Sequence, residues 1–108
     1  MSTKDIFLLH AEICKALAHP LRLEVIEILQ KGELCFSDIL EITGGLKSNL
    51  SQHISILTKV GILKMKRDGK CNYYSLASKK IAIASELMKE VVVDNLQQQS
   101  TLLQNINR

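Results

Sequence analysis

The apolar residues in the first third of the chain recur at helical spacing, which predicts two helices there. The first is expected over residues 4–18. The second is expected over residues 20–31, because Pro20 suits the first position of a helix, where no N–H is needed, and Gly32 suits its end. Residues 33–36 follow as a short extended connection and a candidate edge strand.

Residues 37–60 predict two further helices joined by a tight turn. The first begins at Ser37, a residue type that favours the N-cap position, and ends before Gly44-Gly45. The second runs from about Lys47 to Val60, and we expect its core face to consist of Leu50, Ile54, Leu57 and Val60. Two helices joined by a short turn with glycine are the signature of a helix-turn-helix.

After Gly61 the hydrophobic period changes from that of a helix to that of a strand. Residues 62–67 and 70–76 flank Asp68-Gly69, a dipeptide that is a strong signal for a β-hairpin. A helix-turn-helix followed directly by a basic hairpin is a winged helix. The sequence therefore predicts a domain that is mainly α-helical with a small β-hairpin and that binds nucleic acid.

A last helix, predicted over residues 78–105, is too long for the core of one small domain. A helix that extends past its own domain with an apolar stripe needs a second surface, and we predict a twin subunit. The alternative is a frayed tail from Gln97 onward. The apolar positions are Ile81, Ala84, Leu87, Met88, Val91, Val92, Leu96, Leu103 and Ile106.

Length and composition narrow the class of protein. A chain of 108 residues supports one core, so residues 1–108 are expected to form a single domain. No apolar run is long enough to span a bilayer and the first residues lack a signal-peptide pattern, which predicts a cytoplasmic protein without a membrane partner.

The positive charge is unevenly distributed. The net charge is +3, but residues 1–46 carry −3 and residues 47–108 carry +6. Within residues 47–74, six lysine and arginine residues face one acid, Asp68. An ordinary solvated surface would mix the two signs, so we expect a phosphate-contacting surface here.

The candidate DNA contacts fall into two groups. Short polar and amide side chains near the start of the second motif helix suit base edges in a major groove, and basic residues of the hairpin suit phosphates or the minor groove. For His53 a role in helix packing is the alternative. The groove group is Lys47, Ser48, Asn49, Ser51, Gln52 and His53, and the hairpin group is Lys66, Arg67 and Lys70.

Over nearly its whole length the chain resembles the ArsR/SmtB family of small winged-helix repressors. The resemblance implies a homodimer that pairs through its terminal helices, 1–18 and 78–108, reads double-stranded operator DNA with residues 37–60, and uses residues 62–76 as the wing. It also implies a transcriptional repressor that an inducer releases. The matching stretches are residues 15–23, Gly32-Glu33-Leu34-Cys35, Leu50-Ser51-Gln52-His53-Ile54, Leu57, Gly61 and Gly69 through Leu76.

The inducers of the family include arsenite, antimonite, several divalent metals and reactive sulfur species. Its arsenite sensors commonly carry Cys-x-Cys at the start of the third helix, but here Ser37 replaces the second cysteine, and an N-cap role explains that serine. The zinc and nickel site of its final helix needs histidine and acidic residues. Residues 78–108 contain no histidine, and Asp94 alone cannot hold an ion. A zinc sensor is therefore discounted.

The remaining candidates are thiols. Cys35 lies just before a helix, where the dipole favours a reactive thiolate, and the resemblance would place Cys14 of one subunit near Cys35 of the other. The hypothesis is trivalent arsenic or antimony bound by Cys35 and Cys14, with Cys71 or His10 as weaker candidates. A persulfide or redox switch through the same cysteines is the alternative, and Cys14 could equally serve only in packing.

Two other classes of function remain for comparison. One is a winged-helix module for protein–protein interaction without operator specificity. The excess of basic residues in 47–74 argues against it. The other is an enzyme. No cysteine–histidine spacing suggests an activated nucleophile, and neither a phosphate-cradling glycine loop nor a paired carboxylate site is evident, so we predict that the protein is not an enzyme.

Overall fold

The computed structural model describes residues 2–106 and contains five helices and three strands in that range. The helices are α1 (Thr3–Leu17), α2 (Pro20–Ile28), α3 (Phe36–Thr43), α4 (Lys47–Lys59) and α5 (Lys79–Ile106). The strands are β1 (Leu34–Cys35), β2 (Leu63–Asp68) and β3 (Cys71–Leu76), and a 3-10 turn, Leu29–Lys31, extends α2. The predicted winged helix-turn-helix, mainly helical with a small sheet, is confirmed.

Local sequence explains where the first helices begin. Ser2 and Asp5 form a capping box at α1, in which the Asp5 N–H donates to Ser2 Oγ at 3.2 Å and the Ser2 N–H donates to Asp5 Oδ2 at 3.0 Å. His19 caps α2 by accepting the Leu21 N–H through Nδ1 at 3.2 Å, and Pro20 occupies the first helical position.

The start of α3 differs from the prediction at Ser37. The helix begins one residue earlier, at Phe36, and Cys35 is the N-cap, without a side-chain capping bond. The reason is the pairing of β1 with β3, which holds Cys35 opposite Tyr73 in extended conformation and so fixes the last residue before the helix. The predicted N-cap role of Ser37 is therefore wrong.

The three strands form an antiparallel sheet with the order β1-β3-β2, and β1 is the predicted edge strand. Asp68 pairs with Cys71, so the hairpin loop is Gly69-Lys70 and not Asp68-Gly69. Gly69 has a φ of 62°, which glycine adopts readily at the first position of a two-residue hairpin loop. The predicted hairpin is confirmed with its turn moved by one residue.

The core lies between α2, α3, α4 and the base of the wing. Its buried residues are Ala16, Val25, Ile26, Leu29, Ile39, Leu50, Ile54, Leu57, Ile62 and Leu63. By contrast, α5 has no buried residue, and the large apolar side chains of α1 and α5 are mostly exposed in the isolated chain. Within residues 2–106, no helix is both long and apolar enough to cross a membrane.

Candidate nucleic-acid interface

The two motif helices are held at a fixed angle by a short turn and a shared core. Gly44 and Gly45 have φ values of 65° and 120°, so the chain reverses between α3 and α4 in conformations that other residues adopt only with strain. Ile39 of α3 and Leu57 of α4 are fully buried in the same cluster. This shared core determines which face of α4 points outward.

The outward face of α4 carries the residues predicted to read bases. Five of the six are exposed and lie in the first half of the helix. They are Lys47, Ser48, Asn49, Ser51 and Gln52. Their side chains offer both hydrogen-bond donors and acceptors, the chemistry that distinguishes base pairs in a major groove. Their role as base contacts remains a prediction.

The wing presents the basic residues. Only Leu63 of β2 is buried, and Lys66, Arg67 and Lys70 are all exposed around the hairpin tip. Within the described chain the single ion pair joins Lys89 to Glu27, far from the hairpin in sequence, so none of these three basic side chains is engaged in one. The positive charges are therefore free to meet phosphates, a role that also remains a prediction.

His53 behaves differently from the other five residues of its group. It is half-buried, its Nδ1 accepts a hydrogen bond from Arg22 Nε at 3.0 Å, and its ring centroid lies 4.1 Å from that of His19. Burial, followed by the charges of His19 and Arg22, lowers the pKa of His53 below its ordinary value. Of the two roles predicted for His53, these contacts favour helix packing.

Arg22 was not singled out by the sequence. Its partner His53 is 31 residues away, and only the folded structure brings the two together. Position 22 shows only as one of four basic residues in the acidic half of the chain, which gives no signal of its contact with α4.

The thiols are separated within one chain. Cys35 is buried and its Sγ donates to Asp38 Oδ2 at 3.0 Å, with Ser37 Oγ at 3.1 Å. Cys14 on α1, Cys71 on β3 and His10 on α1 are exposed. Across residues 2–106 no three or more histidine, cysteine or acidic side chains are grouped so that they could hold a metal. A thiolate site at Cys35 would need a further ligand from outside the arrangement of this single chain.

An exposed polar helix face after a glycine turn, followed by a basic hairpin on a common core, defines a winged-helix DNA-binding regulator. Comparison with protein families agrees, since the model described as bacterial regulatory protein, arsR family, matches residues 19–65. The chain belongs to the ArsR family of transcriptional regulators. The prediction that it is not an enzyme is confirmed by this membership.

Known relatives cover nearly the whole chain. The uncharacterised HTH-type transcriptional regulator Rv0081 of Mycobacterium tuberculosis is 31% identical over 107 residues, which are 98% of this chain and 94% of that protein. Its crystal structure has a TM-score of 0.79 and 32% identity, covering 87% of this chain and 95% of that one.

Two further relatives are similar over most of the chain. The winged helix-turn-helix DNA-binding domain Mb0332 of Mycobacterium bovis, homodimeric in its NMR structure, is 28% identical with a TM-score of 0.78, covering 89% of this chain and 90% of that one. The arsenical resistance operon repressor of Staphylococcus aureus is 28% identical over 106 residues, 98% of this chain and 95% of that protein.

Proposed function

We propose that the protein is a homodimeric repressor that binds double-stranded operator DNA and is released by a thiophilic inducer. The observation that carries the DNA-binding part is the polarity of α4, whose inner face is buried and whose outer face presents Asn49 and Gln52 beside a basic wing. In the proposed complex α4 enters the major groove, and Lys66, Arg67 and Lys70 contact the DNA backbone.

Support for the homodimer comes from the uncovered apolar surface of the two terminal helices. On α1, Ile6, Phe7, Leu8 and Leu9 are each at least half exposed, and along α5 the exposed apolar residues continue to Ile106. An apolar surface of this extent on a soluble domain marks an interface. The Mb0332 domain is homodimeric, and the same pairing here would set two α4 helices against two half-sites.

The DNA-binding proposal is tested by fluorescence anisotropy with a labelled fragment from upstream of the protein's own gene. We expect tighter binding to this fragment than to a shuffled duplex of the same length, composition and salt concentration. Equal affinity for both duplexes would contradict operator recognition and would favour the alternative of a protein-interaction module with sequence-independent DNA affinity.

We propose arsenite or antimonite as the inducer, with Cys35 as the principal ligand and Cys14 of the partner subunit as the second. The similarity to an arsenical resistance repressor supports this choice, as does the preference of trivalent arsenic for thiolates. Each thiol would displace one hydroxyl of arsenous acid and release one water. Because Cys35 lies at the start of α3, a ligated sulfur that no longer donates to Asp38 would disturb the motif helix.

The inducer proposal is tested by titrating arsenite, and separately a persulfide donor, into the reduced protein–DNA complex. We expect arsenite to release wild type and the Cys71→Ser control but not Cys35→Ser. Release of Cys35→Ser at the same arsenite concentration would contradict the proposal. Release by the sulfur donor alone would instead establish the persulfide or redox alternative.

A further inference from the structure

Arg22 joins segments of the chain that are far apart in sequence. Its Nη1 donates to the carbonyl of Ala16 in the last turn of α1 at 3.0 Å, and its Nε donates to Nδ1 of His53 on α4 at 3.0 Å. The Ala16 carbonyl needs such a donor because position 20, which would supply the next helical N–H, is proline. One guanidinium therefore fastens the end of α1 to the middle of α4.

His53 is held on a second side by His19. The two rings lie 4.1 Å apart at an angle of 37°, and His19 is itself fixed because its Nδ1 caps α2 through the Leu21 N–H. His53 lies one helical turn after Asn49 and next to Gln52, two of the predicted base contacts. A rotation of α4 about its axis would break the bond to Arg22 and move both contacts.

We propose that Arg22 is a positioning residue of the DNA interface, which orients α4 through the neutral imidazole of His53 and ties it to the end of α1. The inference rests on the proposed function in one respect, that operator DNA is the ligand. In this role neither Arg22 nor His53 contacts DNA. Because α1 carries part of the proposed dimer surface, the same link connects subunit pairing to the reading helix.

The link depends on the protonation of His53. The bond from Arg22 needs the lone pair on Nδ1, so the neutral ring carries its proton on Nε2. A second proton would replace the acceptor with a donor that faces a guanidinium. In the described structure the charged and titratable groups that act on His53 are Arg22 on α2 and His19 before it. Both disfavour protonation of His53. Acid that nevertheless adds the second proton removes the hydrogen bond from Arg22 and so breaks the link.

A histidine that faces DNA would respond to acid in the opposite direction. A protonated imidazole near phosphates adds an attractive charge, so operator binding would strengthen as the pH falls. A histidine that positions α4 makes operator binding weaken as the pH falls. The sign of the pH dependence of operator binding, relative to that of shuffled-duplex binding, therefore distinguishes the two roles.

The test measures operator and shuffled-duplex affinity by anisotropy at steps from about pH 7.5 down to about pH 5, across and below the ordinary histidine pKa. At the highest pH we expect Arg22→Gln to weaken operator binding about tenfold and shuffled-duplex binding far less, as for loss of one charge-assisted hydrogen bond. Lys31→Gln, which removes one exposed charge outside residues 47–74, is the matched control and should affect both duplexes slightly and equally.

Thermal unfolding will show whether Arg22→Gln folds poorly. If it does, His53→Asn still tests the proposal. Asparagine can offer an oxygen acceptor near the position of Nδ1 but does not titrate in this range. We expect operator binding of His53→Asn to weaken less on acidification than that of wild type. Wild-type binding that strengthens in acid, or equal weakening of both duplexes by Arg22→Gln, would overturn the positioning role.

A measurement without DNA separates failure of this inference from failure of the proposed function. In NMR spectra of the free wild-type protein, the Arg22 Nε–H resonance should shift as the His53 imidazole titrates. A resonance that ignores that titration would overturn the link itself. If the link is present but wild type binds operator and shuffled duplex equally, the repressor proposal fails, and the positioning role is overturned with it.

Discussion

Ile56 and Leu57 are adjacent in α4 but differ in what surrounds them. Leu57 is 0% exposed within the core that joins α4 to α2 and α3, whereas Ile56 is 38% exposed. Truncation of a fully buried leucine removes its transfer free energy and leaves a cavity, and the neighbouring isoleucine provides a comparison in the same helix.

We expect Leu57→Ala to lower the free energy of unfolding by about 2–5 kcal/mol, the range for buried leucines, and Ile56→Ala to lower it by much less. Urea unfolding followed by circular dichroism measures both. Since Ile56 lies next to the proposed reading face, its variant also shows whether small changes in α4 affect DNA binding without loss of stability. Equal destabilisation by the two substitutions would contradict the described core.

Stability should also depend on pH through His53. Its pKa is lowered in the folded chain from the ordinary value of 6.5, so just below that pH the unfolded chain binds more protons. The stability contributed by the neutral ring is therefore complete above about pH 6.5 and is lost as the pH falls through the folded-state pKa. Urea unfolding at several pH values should show this loss in wild type and a shallower one in His53→Asn.

At the scale of elements, α4 and the wing are expected to make different contributions to DNA binding. The wing carries exposed basic side chains, and the outer face of α4 carries amide side chains with little charge. Charge contributes to binding of any duplex and depends on salt, whereas base contacts contribute only where the sequence fits. The two elements should therefore differ in the kind of affinity that is lost when each is altered.

Replacement of Lys66, Arg67 and Lys70 by glutamine should weaken binding to operator and shuffled duplex alike. The salt dependence should flatten by about 0.9 in slope for each phosphate contact removed. Anisotropy titrations across a salt series measure both quantities, with Lys31→Gln as the control for charge outside the wing. An unchanged slope in the triple variant would show that the wing does not contact phosphates.

Replacement of Gln52 or Asn49 by alanine should instead relax specificity at single base pairs, by about 1–3 kcal/mol at the affected position. The salt slope should stay close to that of wild type, because no charge is removed. Operator variants with one substituted base pair each locate the effect. A uniform loss across all of these duplexes would contradict a base-reading role for α4.

The elements were predictable because each has a local signal. Periodicity indicated the helices, Pro20 and Gly32 bounded α2, and the residues around Gly69 indicated the hairpin. The start of α3 was missed because a strand pairing between Cys35 and Tyr73, distant in sequence, overrides the capping preference of a serine. The contact of Arg22 with His53 was missed for the same reason, since it depends on packing of α2 against α4.

At the scale of the whole molecule, packing within one chain does not explain the length and exposure of α5. Its 28 residues extend about 42 Å at the usual helical rise, and none of them is buried. Lys89 is tied to Glu27 on α2 by an exposed ion pair at 2.8 Å, but such pairs contribute little to stability. The apolar stripe beyond it therefore needs a partner surface to be stable in water, and a twin subunit supplies one.

Substitution of Val92 and Leu96 by glutamate should separate the proposed dimer. The two residues are four apart and hence on one face of α5, where two buried charges would oppose pairing. Sedimentation equilibrium should report a monomer, and operator affinity should fall by roughly 10²–10⁴-fold because two half-sites are no longer bound together. Glu90→Lys, about 200° around the helix from Val92, should leave both the dimer and operator affinity intact. A double variant that remains dimeric would place the interface elsewhere, and a monomer with full operator affinity would show that pairing does not determine how this fold reads DNA.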